Sequence, residues 1–272
     1  MKGVKLQMHD FEFKERYNLD DLLKIMKILR SENGCPWDKV QTHESIRTDL
    51  IEEAYEVCEG IDCNSPEMLR EELGDLLMQI VFHTEMETEE GHFDFNDVCN
   101  DICKKLVYRH PHVFGSVSAD TEDEVLKNWD ALKKASKNQN TYTETLESVP
   151  KTFPALLRGE KVCRRAARAG ALSDNVHECI ERIKNGLDEL ENSAPSADIA
   201  HNQHIIGNML LNFCNLDRIL KADGEKALTY STNRFIMEFK ALESDFLKKG
   251  ISLDKLSSDE ANRFAEEVIS GF

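Results

Sequence analysis

Two short acidic segments contain the residues of this sequence that are best suited to chemistry. They read EEAYE over residues 52–56 and EELGD over residues 71–75. In each segment, two acidic residues stand three positions apart, a spacing that puts both on one face of a helix. If the two helices pack antiparallel, as their short connection suggests, four carboxylates converge. These are Glu53, Glu56, Glu72 and Asp75.

The residues that follow Asp75 favour a role for these carboxylates beyond surface charge. Residues 76–82 read LLMQIVF, which is apolar nearly all round and predicts a buried helix. An ionised Asp75 beside such a helix is costly unless it is paired or bound to a metal. Carboxylate oxygens at this density suit one or two Mg²⁺ ions, with Mn²⁺ as an alternative ion. The competing interpretation is a solvated acidic face, in which Glu71 and Glu72 only favour the helix dipole.

Gly74 interrupts the second acidic segment inside a predicted helix. Glycine in a helix costs about 1 kcal/mol relative to alanine, so some compensation is expected. We predict that another helix packs closely against this position.

The elements that must position these residues are predicted to be helices throughout. Apolar residues recur three, four and seven positions apart in nearly every segment, and strand-like alternation is nearly absent, so the predicted fold class is all-α. A first helix follows Asp20 and Asp21 and ends at the NGCP sequence of residues 33–36. Thr42 is placed to cap a second helix, and a third extends from about residue 67 to residue 87 before Asp94 caps a fourth.

Composition sets limits on partners and location. The 272 residues carry 34 basic and 51 acidic side chains, a formal charge of −17, which argues against a nucleic-acid partner. No apolar run is long enough for a transmembrane helix, and the start of the chain lacks a signal-peptide core. The eight cysteines are scattered without a CxxC pair and are expected to be reduced, so we predict a cytoplasmic protein without a membrane partner.

The second half of the chain carries a faint copy of the first. Residues 71–78 (EELGDLLM) align with residues 204–211 (HIIGNMLL), at an offset of 204 − 71 = 133 residues. Only one of the four carboxylates keeps an acidic counterpart at this offset. The counterparts of Glu53, Glu56, Glu72 and Asp75 are Gly186, Glu189, Ile205 and Asn208. Because one carboxylate cannot hold a pair of divalent ions, the second copy is predicted to be catalytically inactive.

These observations predict two tandem helical modules, the second of them degenerate. The acidic segments belong to a first module over residues 1–137. A polar linker over residues 138–152 ends near Pro150 and Pro154. A second module over residues 153–272 would serve packing or assembly.

Four motifs in sequence order resemble those of the MazG family of nucleoside triphosphate pyrophosphohydrolases. They are GCPWD at residues 34–38, EEAYE at 52–56, EELGDLL at 71–77 and RHPHVFG at 109–115. The likeness is dense over residues 19–137. It is weak but in register over residues 153–272, where longer members of the family carry a second copy of the module.

The resemblance implies an all-α fold of tandem MazG-like modules, usually assembled as a homodimer. It implies an enzyme that hydrolyses a nucleoside triphosphate to the monophosphate and pyrophosphate with Mg²⁺. The family's metal motif falls on Glu53, Glu56, Glu72 and Asp75. Glu52 stands beside them and is a candidate for positioning or deprotonating the attacking water.

Three further residues are candidates for binding the substrate. Arg109 and Lys133 match basic residues of the family and would stabilise charge on the pyrophosphate, whereas Tyr108 stands where a second arginine is common. Both basic residues could instead be plain surface charge. Trp37 could stack on a base, or it could be a core or cap residue.

Two other functions are compatible with the same residues. One is a catalytically inactive helical regulatory module, which the degraded second copy favours. The other is a nucleotide sensor that holds its ligand without cleaving it. Stabilisation by Mg²⁺ separates an ion-binding protein from an inert scaffold, because only a ligand that binds the folded state raises its stability.

Overall fold

A computed structural model describes residues 11–115, 121, 124–125, 128–129, 132, 141–193, 199–258, 262–264 and 266. All regular elements within these ranges are helical, which confirms the predicted all-α fold class. Contacts divide the chain into two compact units, residues 1–132 and residues 133–272, as expected for two tandem modules. No helix in the described part of the chain is long and apolar enough to span a membrane.

The first unit is built around one long helix, α3. Its described helices are α1 (Leu19–Arg30), α2 (Arg47–Asp62), α3 (Pro66–Glu89), α4 (Phe95–Arg109) and the short α5 (Pro111–Phe114), with a 3₁₀ turn at Asp38–Val40. α2 packs along α3 most extensively, and α1 packs on another part of α3. The core of this unit consists of Met26, Ile46, Val81, Phe82 and Met86.

Most helix ends follow the signals in the sequence. Ser65 accepts a hydrogen bond from the Met68 amide, and Pro66 occupies the first position of α3, where its missing N–H costs nothing. Asp94 caps α4 as predicted. The expectation for Thr42 is wrong, because α2 begins only at Arg47. The Thr42 hydroxyl oxygen instead accepts a hydrogen bond from the Ser45 amide, in a turn that precedes the helix.

The predicted burial of residues 76–82 on all sides is only partly observed. Val81 and Phe82 are buried, but Ile80 is 40% exposed and Leu73, two turns earlier on the same side, is 49% exposed. α1 and α2 cover other sides of α3 and leave this one open. α4 also has little support, since it meets the core near its first residue, Phe95. Further along α4, apolar side chains stay exposed: Ile102, Leu106, Val107 and Tyr108.

The second unit contains five described helices. They are α6 (Tyr142–Glu147), α7 (Ala155–Arg168), α8 (Val176–Ser193), α9 (Ile199–Leu220) and α10 (Gly224–Lys248), followed by a 3₁₀ turn at Leu253–Lys255. α9 packs against both α8 and α7. α6 falls inside the sequence predicted to be a linker and packs on α7, where Arg165 donates hydrogen bonds to the Thr145 carbonyl and the Ser148 hydroxyl.

Candidate functional site

The antiparallel pair of α2 and α3 is fixed at both ends. One end, called the closed end, is where the short turn between Asp62 and Pro66 joins the two helices. There, Gly60 lies so near Leu69 that a Cβ on the glycine would sit 3.0 Å from the Leu69 Cα. At the open end, Ile46 is 1% exposed and shares a buried cluster with Val81 and Phe82. The acidic residues of the two helices lie between these contacts. Their separation is therefore set by the packing at either end.

Three of the four predicted carboxylates meet between these ends. Glu53, Glu56 and Glu72 each offer an oxygen, and these oxygens all lie within 4.8 Å of one another. Glu53 and Glu72 are half-buried, whereas Glu56 is exposed. Within the described ranges, no other group of three or more His, Cys, Asp or Glu side chains brings its ligand atoms this close together.

The electrostatics of the site reflect this crowding. Burial raises the pKa of the Glu53 carboxyl, and the negative charges of Asp75, Glu56 and Glu72 raise it further. Burial also raises the pKa of Glu72, as do the charges of Glu56, Glu71 and Asp75. Asp75 therefore acts on both helices, although its oxygens lie outside the group of three. A cluster made only of hard oxygen donors, held together against its own repulsion, fits a hard divalent cation such as Mg²⁺.

The other predicted site residues lie in different surroundings. Glu52 is exposed on α2, next to Glu53 in the chain. Arg109 is buried at the end of α4, with its guanidinium carbon 5.5 Å from the centroid of the Trp129 ring. That geometry permits a cation–π interaction. Lys133 lies outside the described residues.

Trp37 lies in a loop near the end of α3 that is far from the carboxylates. Its side chain is 58% exposed, in a loop whose Asp38 and Gln41 carbonyls accept hydrogen bonds from Arg30. Arg30 also pairs with Glu89, the last residue of α3. Glu89 follows Asp75 by 89 − 75 = 14 residues, or about 21 Å at 1.5 Å per residue. Within one chain, the structure does not bring Trp37 to the acidic cluster.

The expectation for Gly74 is wrong in the described part of the chain. A Cβ at this position would meet no atom within 4 Å, so no described helix packs against it. The close approach that the sequence suggested occurs instead at Gly60. Helix periodicity alone does not show which glycine faces the partner helix.

The corresponding place in the second unit is filled by packing. A Cβ on Gly186 would sit 2.6 Å from the Met209 Cγ, so α8 and α9 are in tight contact there. Ile205, the counterpart of Glu72, is buried. Asn208, the counterpart of Asp75, lies 3.1 Å from a ring nitrogen of His204. The contacts of Gly186 and Ile205 are those of a helix interface, and no acidic cluster is found in the described residues of this unit.

Sequence reasoning missed a second polar cluster, in which His43, His83, Glu87 and His92 are hydrogen bonded to one another. His83 and Glu87 stand four residues apart on α3, which is a detectable signal. The partnership with His43 depends on the alignment of α2 with α3, and no local pattern reports that alignment.

Comparison with known proteins agrees with the geometry. The sequence model of the family called the MazG nucleotide pyrophosphohydrolase domain matches residues 41–114, which include all four carboxylates. The chain is 38% identical over 238 residues to the nucleoside triphosphate pyrophosphohydrolase of Escherichia coli (strain K12), covering 86% of this chain and 90% of that protein. It is 34% identical over 252 residues to the nucleoside triphosphate pyrophosphohydrolase/pyrophosphatase MazG of Thermotoga maritima, covering 93% and 96% of the two chains.

A relative from Mycolicibacterium smegmatis, also named nucleoside triphosphate pyrophosphohydrolase, is 35% identical over 154 residues, which are 56% of this chain. The fold and the site thus define an all-α protein with an oxygen-donor cluster between two helices. The chain belongs to the MazG family of nucleotide pyrophosphohydrolases.

Proposed function

We propose that this protein hydrolyses nucleoside triphosphates to nucleoside monophosphates and pyrophosphate, in a site on the first unit. The observation that carries this proposal is the convergence of Glu53, Glu56 and Glu72 between two antiparallel helices. The cluster lies inside the segment that matches the pyrophosphohydrolase domain. The names of relatives that align with most of the chain support the same reaction.

The residues of the cluster would hold one or two Mg²⁺ ions, or Mn²⁺ in their place. Bound Mg²⁺ would neutralise the triphosphate and polarise the phosphorus that is attacked. Glu53, Glu56, Glu72 and Asp75 would bind the ion, the first three of them with oxygens that already converge. Glu52 would orient the attacking water or accept its proton. Arg109 and Lys133 would bind the departing pyrophosphate.

We also propose that the active species is a homodimer. Exposed apolar residues on α3 and α4 support this, because exposed apolar patches mark interaction surfaces. Trp37 gives a second reason. If it stacks on the base of a nucleotide held at the acidic cluster, the distance along α3 requires that it come from another copy of the chain.

The second module, proposed for residues 153–272 after a linker at 138–152, is assigned a structural role. The Gly186–Met209 contact supports this, because it occupies the place of the carboxylates with packed side chains. A cytoplasmic location is proposed as well. All eight cysteines are free, which suits a reducing compartment.

Turnover assays test the proposed reaction. The purified chain would be incubated with Mg²⁺ and each common nucleoside triphosphate in turn, and the products separated. We expect a monophosphate and pyrophosphate, and loss of both in Glu53→Gln and Asp75→Asn. Glu90→Gln, an exposed acid at the opposite end of α3, is the matched control and should keep full activity. A nucleoside diphosphate with orthophosphate, or no turnover with any nucleotide, would overturn the proposal.

A further inference from the structure

A chain of hydrogen bonds joins the segment before α2 to the second half of α3. His43 Nδ1 lies 2.7 Å from His83 Nδ1, and His43 Nε2 lies 2.7 Å from one oxygen of Glu87. The planes of the two imidazole rings are within 4° of parallel. The other Glu87 oxygen lies 2.7 Å from His92 Nδ1. Four side chains thus connect the approach to α2, the body of α3 and the turn that follows it.

The contact between the two Nδ1 atoms requires a single proton. With no proton, two lone pairs would face each other, and with two, the hydrogens would collide at 2.7 Å. One histidine must therefore donate and the other accept. Because Glu87 can only accept when it is ionised, His43 donates its Nε2 proton to it. A further proton on the histidine pair can therefore go only to His83 Nε2.

The charges around the pair agree with this proton count. The hydrogen bond from His92 lowers the pKa of Glu87, and the bond from His43 lowers it as well, which keeps the acceptor ionised. Burial lowers the pKa of His83, and positive charge on His43 lowers it further. His83 Nε2 is buried and makes no hydrogen bond within the described residues, so a proton there would find no acceptor.

Other charged groups lie near the two histidines, but their main interactions are with groups outside this network. Glu44 lies beside His43 on the same segment, and its own pKa is lowered chiefly by its backbone hydrogen bond. On α1, which packs against α3, Lys27 and Arg30 act on Glu85. Arg30 is in addition paired with Glu89. Within the described residues, the side-chain hydrogen bonds of His43 and His83 are therefore those of the network.

The location of the network links it to the carboxylates. His43 precedes the buried Ile46 by three residues, and α2 begins immediately after Ile46. Glu53 follows within the first two turns of α2. Repulsion among Glu53, Glu56 and Glu72 tends to separate the helices, and the closed end is held by the Gly60–Leu69 contact. The histidine network adds polar contacts at the other end of the pair, where residues 43–46, just before α2, contact α3.

We propose that His43 is a positioning residue for the carboxylate cluster. His43 accepts a hydrogen bond from His83 and donates one to Glu87, and these two bonds, here called the clasp, hold the start of α2 against α3. Protonation of the buried His83 Nε2 breaks the clasp and weakens divalent-ion binding. The inference rests on the proposed function in one respect, namely that the cluster binds a divalent ion. The clasp itself is a property of the folded chain without ions.

The first experiment therefore uses no ion and no nucleotide. The imidazole NMR signals of the full chain would be followed against pH, with His43 and His83 assigned by substitution. We expect His83 to take up a proton only below the ordinary value of about 6.5, because burial lowers its pKa. Amide protection over residues 47–53 should fall as His83 is protonated. Titration of His83 at or above the ordinary value, or unchanged protection when it is protonated, would overturn the clasp.

The second experiment measures the Mn²⁺ affinity of the full chain as a function of pH. His43→Phe, which removes both hydrogen bonds of His43, should bind Mn²⁺ more weakly than the wild-type chain at neutral pH, because the start of α2 is no longer held against α3. In His83→Gln, the glutamine can still donate a hydrogen bond to His43 but cannot be protonated. The Mn²⁺ affinity of this variant should therefore fall less steeply with acid than that of the wild-type chain. His177→Phe is the matched control, because His177 is an exposed histidine on α8 of the second unit and takes no part in the network.

The outcomes separate the two proposals. If the wild-type chain binds no Mn²⁺, the proposed function fails, and the NMR titration still decides the clasp. If ions bind but His43→Phe has wild-type affinity, or His83→Gln keeps the wild-type pH profile, the positioning role is wrong while the hydrolase stands.

Discussion

Arg30 and Glu89 form a two-point ion pair, with Nε and Nη2 of the guanidinium each 2.8 Å from one carboxylate oxygen. The same guanidinium lies 5.2 Å from the centroid of the Phe82 ring. It also donates to two carbonyls of the loop that carries Trp37. The side chain of Arg30 is only 6% exposed, so one buried cation joins α1, α3 and this loop.

Arg30→Gln should lower the free energy of unfolding by about 2 kcal/mol, because it leaves Glu89 and the loop carbonyls without their donor. Urea denaturation of the full chain measures this change. Arg47→Gln makes the same substitution at an exposed arginine and should change the stability by no more than about 0.5 kcal/mol. Equal effects of the two substitutions would show that the Arg30 contacts add nothing to stability.

Glu53→Gln should stabilise the protein at neutral pH when divalent ions are absent. The pKa of Glu53 is raised in the folded state, so its favourable contribution is complete below the pKa of the unfolded chain and is lost as the pH rises through the folded value. At neutral pH the ionised carboxylate therefore opposes folding. We expect a gain of about 0.3 kcal/mol from removing like-charge contacts at this partly exposed site.

That gain should disappear in acid, where the wild-type carboxyl is protonated as well. Urea denaturation at several pH values, with a chelator present, measures the difference between the two proteins. A difference that stays constant with pH would show that packing, and not charge, is responsible.

Mg²⁺ should stabilise the wild-type chain, because a bound cation offsets the repulsion among the ionised carboxylates. An ion that binds only the folded state at 100 times its dissociation constant adds about 2.7 kcal/mol of stability. Glu72→Gln should lose most of this stabilisation, since Glu72 supplies one of the converging oxygens. Thermal denaturation with and without Mg²⁺ gives the comparison, and Glu90→Gln should respond as the wild type does. An equal response of the Glu72 variant would place the ion elsewhere.

Two glycine substitutions should have opposite effects. Gly74→Ala should raise the free energy of unfolding by about 1 kcal/mol, because alanine favours the helix and its methyl group meets no described atom. Gly60→Ala should lower it, because the new methyl group would press on the backbone of Leu69, which cannot move aside as a flexible side chain could. Denaturation of both variants in parallel tests the assigned face of each glycine.

The parts of the fold that local chemistry determines could be predicted from the sequence. Ser65 with Pro66, and Asp94, define helix ends through bonds that span only a few residues. The pairing of Glu53 and Glu56 with Glu72 also followed, since helical spacing and a short connection constrain the geometry. These predictions required no knowledge of distant contacts.

The remaining features depend on how helices align and on what covers them. The separation of Trp37 from the carboxylates results from the contacts of Arg30 with Glu89 and the loop, which join residues far apart in sequence. The contact between His43 and His83 likewise requires the alignment of α2 with α3. The exposure of Ile80 shows that an apolar segment can remain uncovered in a single chain. Hydrophobic pattern alone does not distinguish such a surface from a core.

The replacement of carboxylates by the Gly186–Met209 contact makes the two halves of the chain respond differently to their surroundings. A helix interface made of apolar side chains needs no counterion, so chelation leaves it intact. The acidic cluster in the other half has no such neutral contact, and under the proposed function its charges are offset only while a divalent ion is bound. On that proposal, a shortage of such ions would loosen one half of the molecule and spare its neighbour.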